Sequence, residues 1–239
     1  MGRKRKLEHF AEMKTFPHVF EPELKEVFRT EYKLNGKWKK TVFQNNHPLV
    51  LELGCGKGEY SVGMARKFPN KNFIGIDIKG ARMWRGAKTS LEEGLQNVAF
   101  LRTRIEFIEG CFGKDEVDEI WITFPDPQPK EKQEKKRLTG PQFLKRYLTF
   151  LKEDGIIHLK TDNQFFYEWS LSEVKRHGYE ILESTADLYG EKIGGFDQTT
   201  QDILSIKTHY ETIFSEKGHK IHYLKFKPHG QDPKAIGEE

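Results

Sequence analysis

The sequence has few cysteines, no long apolar run and little net charge, and these shortages exclude several classes of protein. Only two of the 239 residues are cysteines, so there is no disulfide framework and a reducing compartment fits. No apolar stretch approaches the roughly 20 residues that span a bilayer, and the basic N-terminus lacks the apolar core of a secretory signal. These features predict a cytoplasmic protein. The formal net charge is only +4, so charge balance alone does not indicate a nucleic-acid-binding protein.

Neither the cysteines nor the histidines form a recognisable ligand cluster. Cys55 and Cys111 are far apart and lack the spacing of a paired-thiol or zinc site. Cys55 lies in a glycine-rich loop without an evident base nearby, so we interpret it as a small filler and not as a nucleophile. His219 and His222 are close in sequence, but no further ligand accompanies them. We therefore predict no metal site.

From Pro48 onward, short apolar runs alternate with segments of helical periodicity. The runs predict five strands, at residues 49–53, 72–78, 97–103, 118–124 and 155–162. Helices are predicted at residues 59–69, 81–94, 140–155 and 168–178, and residues 181–189 and 219–226 could add edge strands. Strands that alternate with helices are typical of a parallel sheet covered on both faces. The predicted fold class is therefore α/β, with a mostly parallel central sheet and helices on both faces.

Residues 1 to about 30 are charged and weakly periodic, and their N-terminal end is strongly basic. We interpret the run from Arg3 to Lys6 as a flexible arm. Two roles for this arm remain open: a solvated tail, or a segment that contacts the phosphates of a nucleic acid.

The first predicted strand runs into the loop ELGCGKGEY, which has glycines at positions 54, 56 and 58. Glycines at a strand-to-helix turn allow a ligand to approach the backbone closely. A phosphate-binding P-loop is excluded because Lys57 is followed by Gly58 and not by Ser or Thr. A dinucleotide-binding loop fits poorly because the third glycine arrives one residue early. The E-x-G-x-G-x-G spacing instead resembles the first motif of class I S-adenosylmethionine-dependent methyltransferases.

Acidic residues follow the ends of several predicted strands. Asp77 comes near the end of the second strand, where a carboxylate can accept hydrogen bonds from the ribose of either NAD or S-adenosylmethionine. Because ligands of open parallel sheets bind at the carboxyl ends of the strands, we expect these positions to share one edge. The positions are Glu52, Asp77, residues 103–106, Asp126 and Asp162.

The proline-rich segment FPDPQPK follows the fourth predicted strand and encloses Asp126 between two prolines. Prolines restrict the backbone and would hold the carboxylate in place; the alternative is a rigid loop whose aspartate only makes a turn. The basic residues directly behind it could neutralise RNA phosphates, or they could form a solvated helix start diluted by Glu131 and Glu134. These basic residues are Lys130, Lys132, Lys135, Lys136 and Arg137.

In combination, three segments resemble the bacterial tRNA (guanine-N7)-methyltransferase family: FPDPQPK with the following KRL, then HLKTDN, then a T-x-Y-E segment. The segment GKWKKTVFQNNHPLVLELGCGKGEY also resembles that family's entry into its first strand. The similarity extends from about Gly36 to Phe226, in the family's order. It implies a Rossmann-like class I methyltransferase domain at residues 36–239, preceded by a basic N-terminal extension at residues 1–35.

The resemblance implies transfer of the methyl group of S-adenosyl-L-methionine to N7 of guanosine 46 in the variable loop of tRNA. The expected partner is tRNA, and no metal, membrane or obligate protein partner is predicted. At matching positions, Asp126 is implied as the catalytic residue. The implied cofactor-binding residues are Glu52, Gly54, Gly56, Asp77, Arg104 and Asp126. The implied substrate-binding residues are Lys130, Asp162, Thr208, His209, Tyr210 and Glu211.

The chemistry at guanine N7 gives Asp126 a specific task. N7 has an in-plane lone pair, so no proton has to leave before attack, and catalysis can depend on positioning and charge stabilisation. The Asp126 carboxylate could accept hydrogen bonds from the N1–H and N2–H groups of guanine. These bonds would select guanine over adenine and offset the positive charge that develops on the ring.

Two positions depart from the family pattern. The family usually has Asp-Pro-Trp-Pro-Lys, and Gln128 replaces the Trp here, so any stacking on the base must come from elsewhere. Arg104 stands where the family commonly has an Asp suited to the adenine amino group, and an arginine cannot accept that hydrogen bond. Glu106 could substitute if the segment is extended, since residues two apart then point to the same side; backbone groups are the alternative.

Three other functions compete with an RNA methyltransferase. A methyltransferase for a small molecule or a protein would have the same fold, although the basic tract and the T-x-Y-E segment favour RNA. An RNA-binding protein that keeps the fold without the chemistry would be consistent with Arg104. An NAD oxidoreductase fits least well because of the glycine spacing.

Overall fold

The computed structural model describes residues 3–216 and 218–228; the side chains at positions 3–5, 191, 192, 209, 210, 214 and 216 lie outside the description. The strands are β1 Val19–Phe20, β2 Leu49–Leu53, β3 Asn72–Asp77, β4 Val98–Arg102, β5 Val117–Thr123, β6 Leu151–Thr161, β7 Glu180–Thr185 and β8 His222–Lys227. The helices are α1 Arg3–Met13, α2 Leu24–Val27, α3 Glu59–Lys67, α4 Gly80–Glu92, α5 Pro141–Tyr147, α6 Gln164–Arg176, α7 Gln198–Leu204 and α8 His209–Glu216. Short 3₁₀ helices span Ile105–Gly110, Glu131–Lys136 and Ile193–Gly195, and π-helical turns span Trp38–Phe43 and Leu188–Lys192.

The described strands form one sheet in the order β1-β4-β3-β2-β5-β6-β8-β7. The pairs from β1 to β6 are parallel, whereas β8 runs antiparallel to both β6 and β7. The order reverses at β2 and β5, which lie side by side although β3 and β4 come between them in sequence. This is the α/β, mostly parallel, Rossmann-like sheet that the sequence predicts, and ligands bind such sheets where the order reverses.

The sheet is buried on both faces, which explains why its central strands are continuous apolar runs. All five residues of β2 are buried. Leu49, Leu51 and Leu53 belong to one hydrophobic cluster, and Val50 belongs to the cluster on the opposite face. Such strands lack the alternation of a half-exposed sheet, because both sides contact apolar partners.

The helix predicted at residues 140–155 is wrong in its second half. Helix α5 ends at Tyr147, and Leu151 already begins β6, paired with Val117. Phe150 and Leu151 are both buried in the same cluster. The spacing of Leu144, Leu148 and Leu151 fits a helix, but burial against the sheet overrides that local preference.

The N-terminal segment is helical where a flexible arm was expected. Helix α1 begins at Arg3 and packs against α4, where the His9 ring stacks on Trp84 at 3.7 Å between centroids. Glu12 accepts a hydrogen bond from the Trp84 indole at 2.7 Å and pairs with Lys88 at 2.9 Å. The domain boundary at residue 35 stays a prediction. No helix in the described part of the chain is long and apolar enough to cross a membrane.

Candidate functional site

The glycine loop turns the chain sharply from β2 into α3. The backbone N–H groups of Gly54 and Cys55 both donate to the Ile76 carbonyl of β3, at 2.8 and 3.0 Å. Gly54 and Gly58 have φ angles of 75° and 70°, in the left-handed region that residues with a Cβ rarely adopt. A Cβ built on Gly54 would meet no atom within 4 Å. The loop is therefore open at Gly54, and a ligand can lie directly against its backbone.

The other side of the loop is closely packed against α4. A Cβ on Gly58 would lie 2.6 Å from the Phe100 ring, and a Cβ on Gly86 would lie 2.5 Å from the Lys57 carbonyl oxygen. Gly58 and Gly86 thus allow the loop and α4 to meet backbone to backbone. This contact fixes the open face of the loop relative to the sheet.

Glu52, the acidic residue of β2, is buried beneath the loop. Its carboxylate accepts hydrogen bonds from the Ser61 N–H at 2.8 Å, from the Ser61 hydroxyl, and from the Thr123 hydroxyl at 2.7 Å. Burial raises the pKa of the Glu52 carboxyl to about 7, although the bonds from Ser61 and Thr123 act in the opposite direction. Glu52 therefore joins α3 to β5 from below, and its carboxylate does not lie open in the cleft.

Cys55 follows the same pattern of burial. Desolvation, together with the nearby charges of Glu52 and Asp77, raises the pKa of its thiol well above the ordinary value. A thiol that stays protonated is a poor nucleophile, which agrees with our interpretation of Cys55 as a filler.

Asp77 lies at the carboxyl end of β3, on the strand next to β2. Its Oδ2 accepts from the Gly56 N–H at 2.9 Å, and its Oδ1 accepts from the Lys79 N–H at 2.7 Å. An ionised carboxylate offers about four acceptor sites, so each oxygen retains a lone pair. Asp77 can therefore order the glycine loop and still accept hydrogen bonds from the hydroxyl groups of a ligand.

A cleft of about 630 Å³ opens at this edge of the sheet, within the size range of cofactor sites. Gly54 and Asp77 line it, and Arg104 and Glu106 lie along it after β4. Ile78 also lines the cleft and is half exposed, which is unusual for a large apolar side chain. Further lining comes from the chain after β5: Gln128, Lys135, Lys136, Leu138, Gln142, Phe143 and Arg146.

The residues of the cleft fit a nucleoside-bearing cofactor. Asp77 offers carboxylate oxygens to ribose hydroxyls, Ile78 offers an apolar surface to a base, and Gly54 leaves room beside the backbone. The structure thus brings Gly54, Asp77 and Arg104 together, ties Gly56 to Asp77, and puts Glu52 beneath them.

Arg104 and Glu106 reach the cleft by a different geometry from the one expected. The segment Ile105–Gly110 is a 3₁₀ helix and not an extended strand, so the argument from alternating side chains is wrong. Both side chains nevertheless line the cleft, and the Arg104 guanidinium donates to the Glu106 carboxylate at 3.3 Å. Glu106 therefore brings a hydrogen-bond acceptor to the same cleft that Arg104 lines.

The Asp126 loop leaves the end of β5 in a constrained conformation. Phe124 and Gln128 have φ angles of 48° and 47°, uncommon values for residues with a Cβ. Asp126 lies between them with its side chain exposed, and its Oδ1 accepts from the Gln128 N–H at 3.2 Å. Asp126 itself does not line the cleft, but Gln128, two residues later, does. The carboxylate therefore stands at the border of the cleft, open to solvent.

Arg137 is not part of the exposed basic tract with which the sequence grouped it. Its side chain is buried, and its Nε donates to the Gln128 carbonyl at 3.1 Å. The guanidinium lies over the rings of Phe165 and Trp169, at 5.0 and 4.5 Å from their centroids. Arg137 thus anchors the Asp126 loop to α6 and cannot contact RNA phosphates in this conformation.

The lysines of the tract remain on the surface, as the sequence suggests. Lys130, Lys132, Lys135 and Lys136 are exposed, and Lys135 and Lys136 also line the cleft. All four flank or lie within the 3₁₀ helix Glu131–Lys136, whose acidic residues are exposed as well. The positive charge therefore begins beside Asp126 and extends along the border of the cleft.

The predicted substrate-binding residues lie on two segments. Asp162 directly follows β6, and the register of Thr123 with Lys160 puts it at the same edge of the sheet as the Asp126 loop. Thr208 precedes α8, and its hydroxyl accepts from the Glu211 N–H at 3.1 Å. The side chains of His209 and Tyr210 lie outside the described residues.

Glu211 has a different environment from an exposed substrate ligand. Its side chain is fully buried and pairs with the buried Lys160 ammonium at 2.8 Å. The Tyr189 hydroxyl also donates to its carboxylate. Sequence reasoning missed Lys160 and Tyr189, because a lysine in an apolar strand and a distant tyrosine carry no local signal of an ion pair. Glu211 is therefore not accessible to a substrate that approaches the Asp126 loop from solvent.

Comparison with known proteins identifies the family and agrees with this fold. Residues 46–224, well over half of the chain, match a family model described as a putative methyltransferase. Together with the sheet order and the cleft, the match defines a class I methyltransferase. Over 227 residues the chain is 52% identical to the tRNA (guanine-N(7)-)-methyltransferase of Christiangramia forsetii, covering 95% of this chain and 99% of that relative. The chain belongs to the tRNA (guanine-N(7)-)-methyltransferase family.

Solved structures support the fold at low sequence identity. The 16S rRNA methyltransferase KamB superposes with a TM-score of 0.58 at 13% identity, covering 78% of this chain and 90% of that one. A 16S rRNA (adenine(1408)-N(1))-methyltransferase from Catenulisporales acidiphilia, solved with its cosubstrate SAM, has a TM-score of 0.53 at 13% identity. That superposition covers 82% of this chain and 92% of the other one.

Proposed function

We propose that this enzyme transfers the methyl group of S-adenosyl-L-methionine to N7 of guanosine 46 in the variable loop of tRNA. The proposal rests on the 52% identity, over 95% of the chain, to a relative named for guanine-N7 methylation of tRNA. The cleft beside the Asp126 loop supports it, because a methyl donor and a base could meet at this edge of the sheet. The reaction takes place in the cytoplasm, and tRNA is the binding partner of the enzyme.

The cofactor is held by residues around the glycine loop. Asp77 accepts hydrogen bonds from the ribose, Gly54 and Gly56 let it lie against the backbone, and Ile78 contacts the adenine ring. Glu106 accepts from the adenine amino group in place of Arg104. When bound, the cofactor supplies an electrophilic methyl group.

Asp126 acts on the guanine and not on a proton at N7. Its carboxylate accepts from N1–H and N2–H, selects guanine, and stabilises the positive charge that grows on the ring during attack. The exposed side chain and the constrained backbone between Phe124 and Gln128 support this role, because a preorganised acceptor needs little reorganisation. Glu52 supports the loop from beneath and touches neither reactant.

The tRNA is held on both sides of Asp126. Lys130, Lys132, Lys135 and Lys136 are exposed along the cleft border and neutralise phosphates, which fixes the RNA without reading its sequence. Asp162 and Thr208 contact the target nucleotide, with His209 and Tyr210 next to Thr208 in sequence. Glu211, buried behind Thr208, holds that segment in place.

The experiment is incubation with methyl-labelled S-adenosylmethionine and either unmodified tRNA or a small-molecule pool, followed by identification of the labelled nucleoside. We expect label in 7-methylguanosine from tRNA only. Label in small molecules but in no tRNA would overturn the proposal, and so would label in another nucleoside. Cofactor binding without any transfer to tRNA would favour an RNA-binding protein that keeps the fold.

A further inference from the structure

A fully buried lysine connects the two segments that we assign to the substrate. Lys160 lies near the carboxyl end of β6, paired with Thr123 of β5 on one side and Tyr223 of β8 on the other. Its side chain has no exposed surface. The burial of an ammonium group is costly unless its donors and its charge are matched, so the surroundings of Lys160 show what it holds.

The Lys160 ammonium donates to acceptors between residues 204 and 211, from the end of α7 to the first turn of α8. It donates to the carbonyl oxygens of Leu204 at 2.7 Å and Ile206 at 3.3 Å, and to the Glu211 carboxylate at 3.0 Å. The rings of Tyr60 and Tyr189 lie 5.4 and 5.6 Å from the nitrogen. The positive charge is therefore compensated by residues 204–211 and by two aromatic faces.

Thr208 lies within the segment that Lys160 holds. Its hydroxyl accepts from the Glu211 N–H at 3.1 Å, and its carbonyl accepts from the Thr212 N–H at 3.0 Å, so Thr208 caps the start of α8. Helix α3 fixes the residue that directly precedes this segment, since the Tyr60 hydroxyl donates to the Ile203 carbonyl at 2.9 Å. The position of Thr208 thus depends on anchors to β6 and α3.

The backbone of Lys160 holds the other substrate segment. Its carbonyl accepts from the Phe124 N–H at 2.8 Å, and Phe124 is the residue from which the Asp126 loop departs. The Phe124 ring lies 6.0 Å from the Lys160 ammonium. One residue therefore contacts the base of the Asp126 loop through its backbone and the Thr208 segment through its side chain.

Burying the Lys160–Glu211 ion pair costs desolvation free energy that apolar side chains at these positions would not cost. Apolar side chains of similar volume often stabilise a core as well as a buried ion pair does, whereas an ion pair with directed donors favours one arrangement. Here the directed donors select one position of residues 204–211 relative to β6.

We propose that Lys160, paired with Glu211 and Tyr189, is a positioning residue that sets the distance between Thr208 and the Asp126 loop, and so the binding of the target nucleotide. This inference rests on the proposed function. It assigns Lys160 no contact with the reactants, since its side chain is fully buried and does not line the cofactor cleft.

The test is the variant Lys160→Met, which keeps an unbranched side chain one heavy atom shorter and removes the charge and the donors. We expect KM for tRNA to rise roughly tenfold or more, because small displacements of binding groups have large effects. The cofactor Kd, measured by calorimetry, is expected to change by less than about twofold. A merely structural role would lower the thermal midpoint and leave KM for tRNA unchanged in the folded enzyme.

The matched control is Lys152→Met, on the same strand but at its opposite end. Lys152 also forms an ion pair, with Asp118 at 2.5 Å, and we expect its removal to leave both constants within about twofold. If Lys160→Met does not fold, Tyr189→Phe removes only the hydroxyl that donates to Glu211, and KM for tRNA should rise in the same direction by a smaller factor.

An unchanged KM for tRNA in a folded Lys160→Met enzyme, or in Tyr189→Phe if the first does not fold, would overturn the inference. An equal rise in Lys152→Met would also overturn it, since the effect would then belong to any lost ion pair. Failure of the proposed function is seen separately, as a parent enzyme that does not methylate tRNA, and the inference would fall with it.

Discussion

At the scale of single residues, the site depends on two carboxylates in opposite surroundings. Glu52 is buried and accepts three hydrogen bonds from protein groups, which leaves it little capacity for a ligand. Asp126 is exposed and accepts from one backbone N–H of its own loop. The first is suited to holding the glycine loop against β5, and the second is suited to contacting a base that arrives from solvent.

The contact between Asp126 and the base predicts a loss of rate when the carboxylate is changed. Asp126→Asn keeps one acceptor but replaces the other with a donor that opposes the guanine N–H groups, and Asp126→Ala removes both. At saturating cofactor we expect kcat for tRNA methylation to fall on the order of 100-fold in both variants. Glu131→Gln, which neutralises an exposed acid nearby in the same segment, is the control and should retain kcat within about twofold. Near-normal rates in both Asp126 variants would remove Asp126 from the mechanism.

The buried Glu52 carboxyl predicts a specific dependence of stability on pH. Its folded pKa of about 7 is above the ordinary value of 4.5, so its stabilising effect is complete below pH 4.5 and is lost as the pH rises to about 7. The free energy of unfolding of the parent should therefore fall relative to that of Glu52→Gln by about 3 kcal/mol over this range, from about 1.4 kcal/mol per pKa unit. Urea unfolding of both proteins at several pH values measures the difference. Parallel curves would contradict the assignment.

The site residues that the sequence predicted share one property: their position in the fold follows from the residues next to them in sequence. Asp77 comes at the end of an apolar run, and Gly54 stands in a loop whose glycine spacing excludes a P-loop and fits a dinucleotide site poorly. Arg137 and Lys160 could not be placed in this way. Whether a basic residue is buried depends on Trp169 and Glu211, which only the folded chain brings beside them.

At the scale of elements, the contact between the glycine loop and α4 positions the cleft. Gly58 and Gly86 meet there without side chains, and α4 also carries Trp84, on which α1 packs. The sequence predicted α3 and α4 well because both have clear ends, whereas it gave no sign of α1. It failed at α5 and β6, where the leucine spacing is helical but Leu151 pairs with Val117 of β5.

Gly86→Ala tests the close approach of α4 to the loop. The added Cβ would lie 2.5 Å from the Lys57 carbonyl oxygen and 2.9 Å from the Gly58 Cα, so backbone atoms must move. We expect a loss of about 1–3 kcal/mol in the free energy of unfolding, as for other overpacked sites, and weaker cofactor binding in calorimetry. Gly194→Ala, whose Cβ meets no atom within 4 Å, is the matched control. Equal stability and cofactor affinity in the two variants would show that this contact does not position the loop.

At the scale of the whole molecule, function depends on where charge lies and not on how much there is. The net charge of +4 is small. Four exposed lysines nevertheless begin beside Asp126, whereas Lys71 and Lys152, near the opposite edge of the sheet, are paired with Glu119 and Asp118. Composition could not reveal this distribution, since it requires the strand order. The fold itself was predictable, because alternating strands and helices leave few arrangements.

The distribution predicts the salt dependence of tRNA binding. Replacing Lys132, Lys135 and Lys136 by Gln should weaken binding and lower the slope of log K against log salt by about 2–3, since each phosphate contact contributes roughly 0.7–0.9. The control replaces Lys67, Lys71 and Lys152, which are ion-paired away from the Asp126 loop, and should leave the slope unchanged. Filter binding at several salt concentrations measures both slopes. Equal slopes would place the RNA on another surface.

The most direct test of the account compares two tRNA transcripts that differ only at nucleotide 46, one with guanosine and one with adenosine there. Each is incubated with the enzyme and methyl-labelled S-adenosylmethionine, and the labelled nucleotide is mapped. We expect 7-methylguanosine at position 46 of the first transcript and no label in the second. Equal labelling of both transcripts, or label at a different nucleotide of the first, would contradict it.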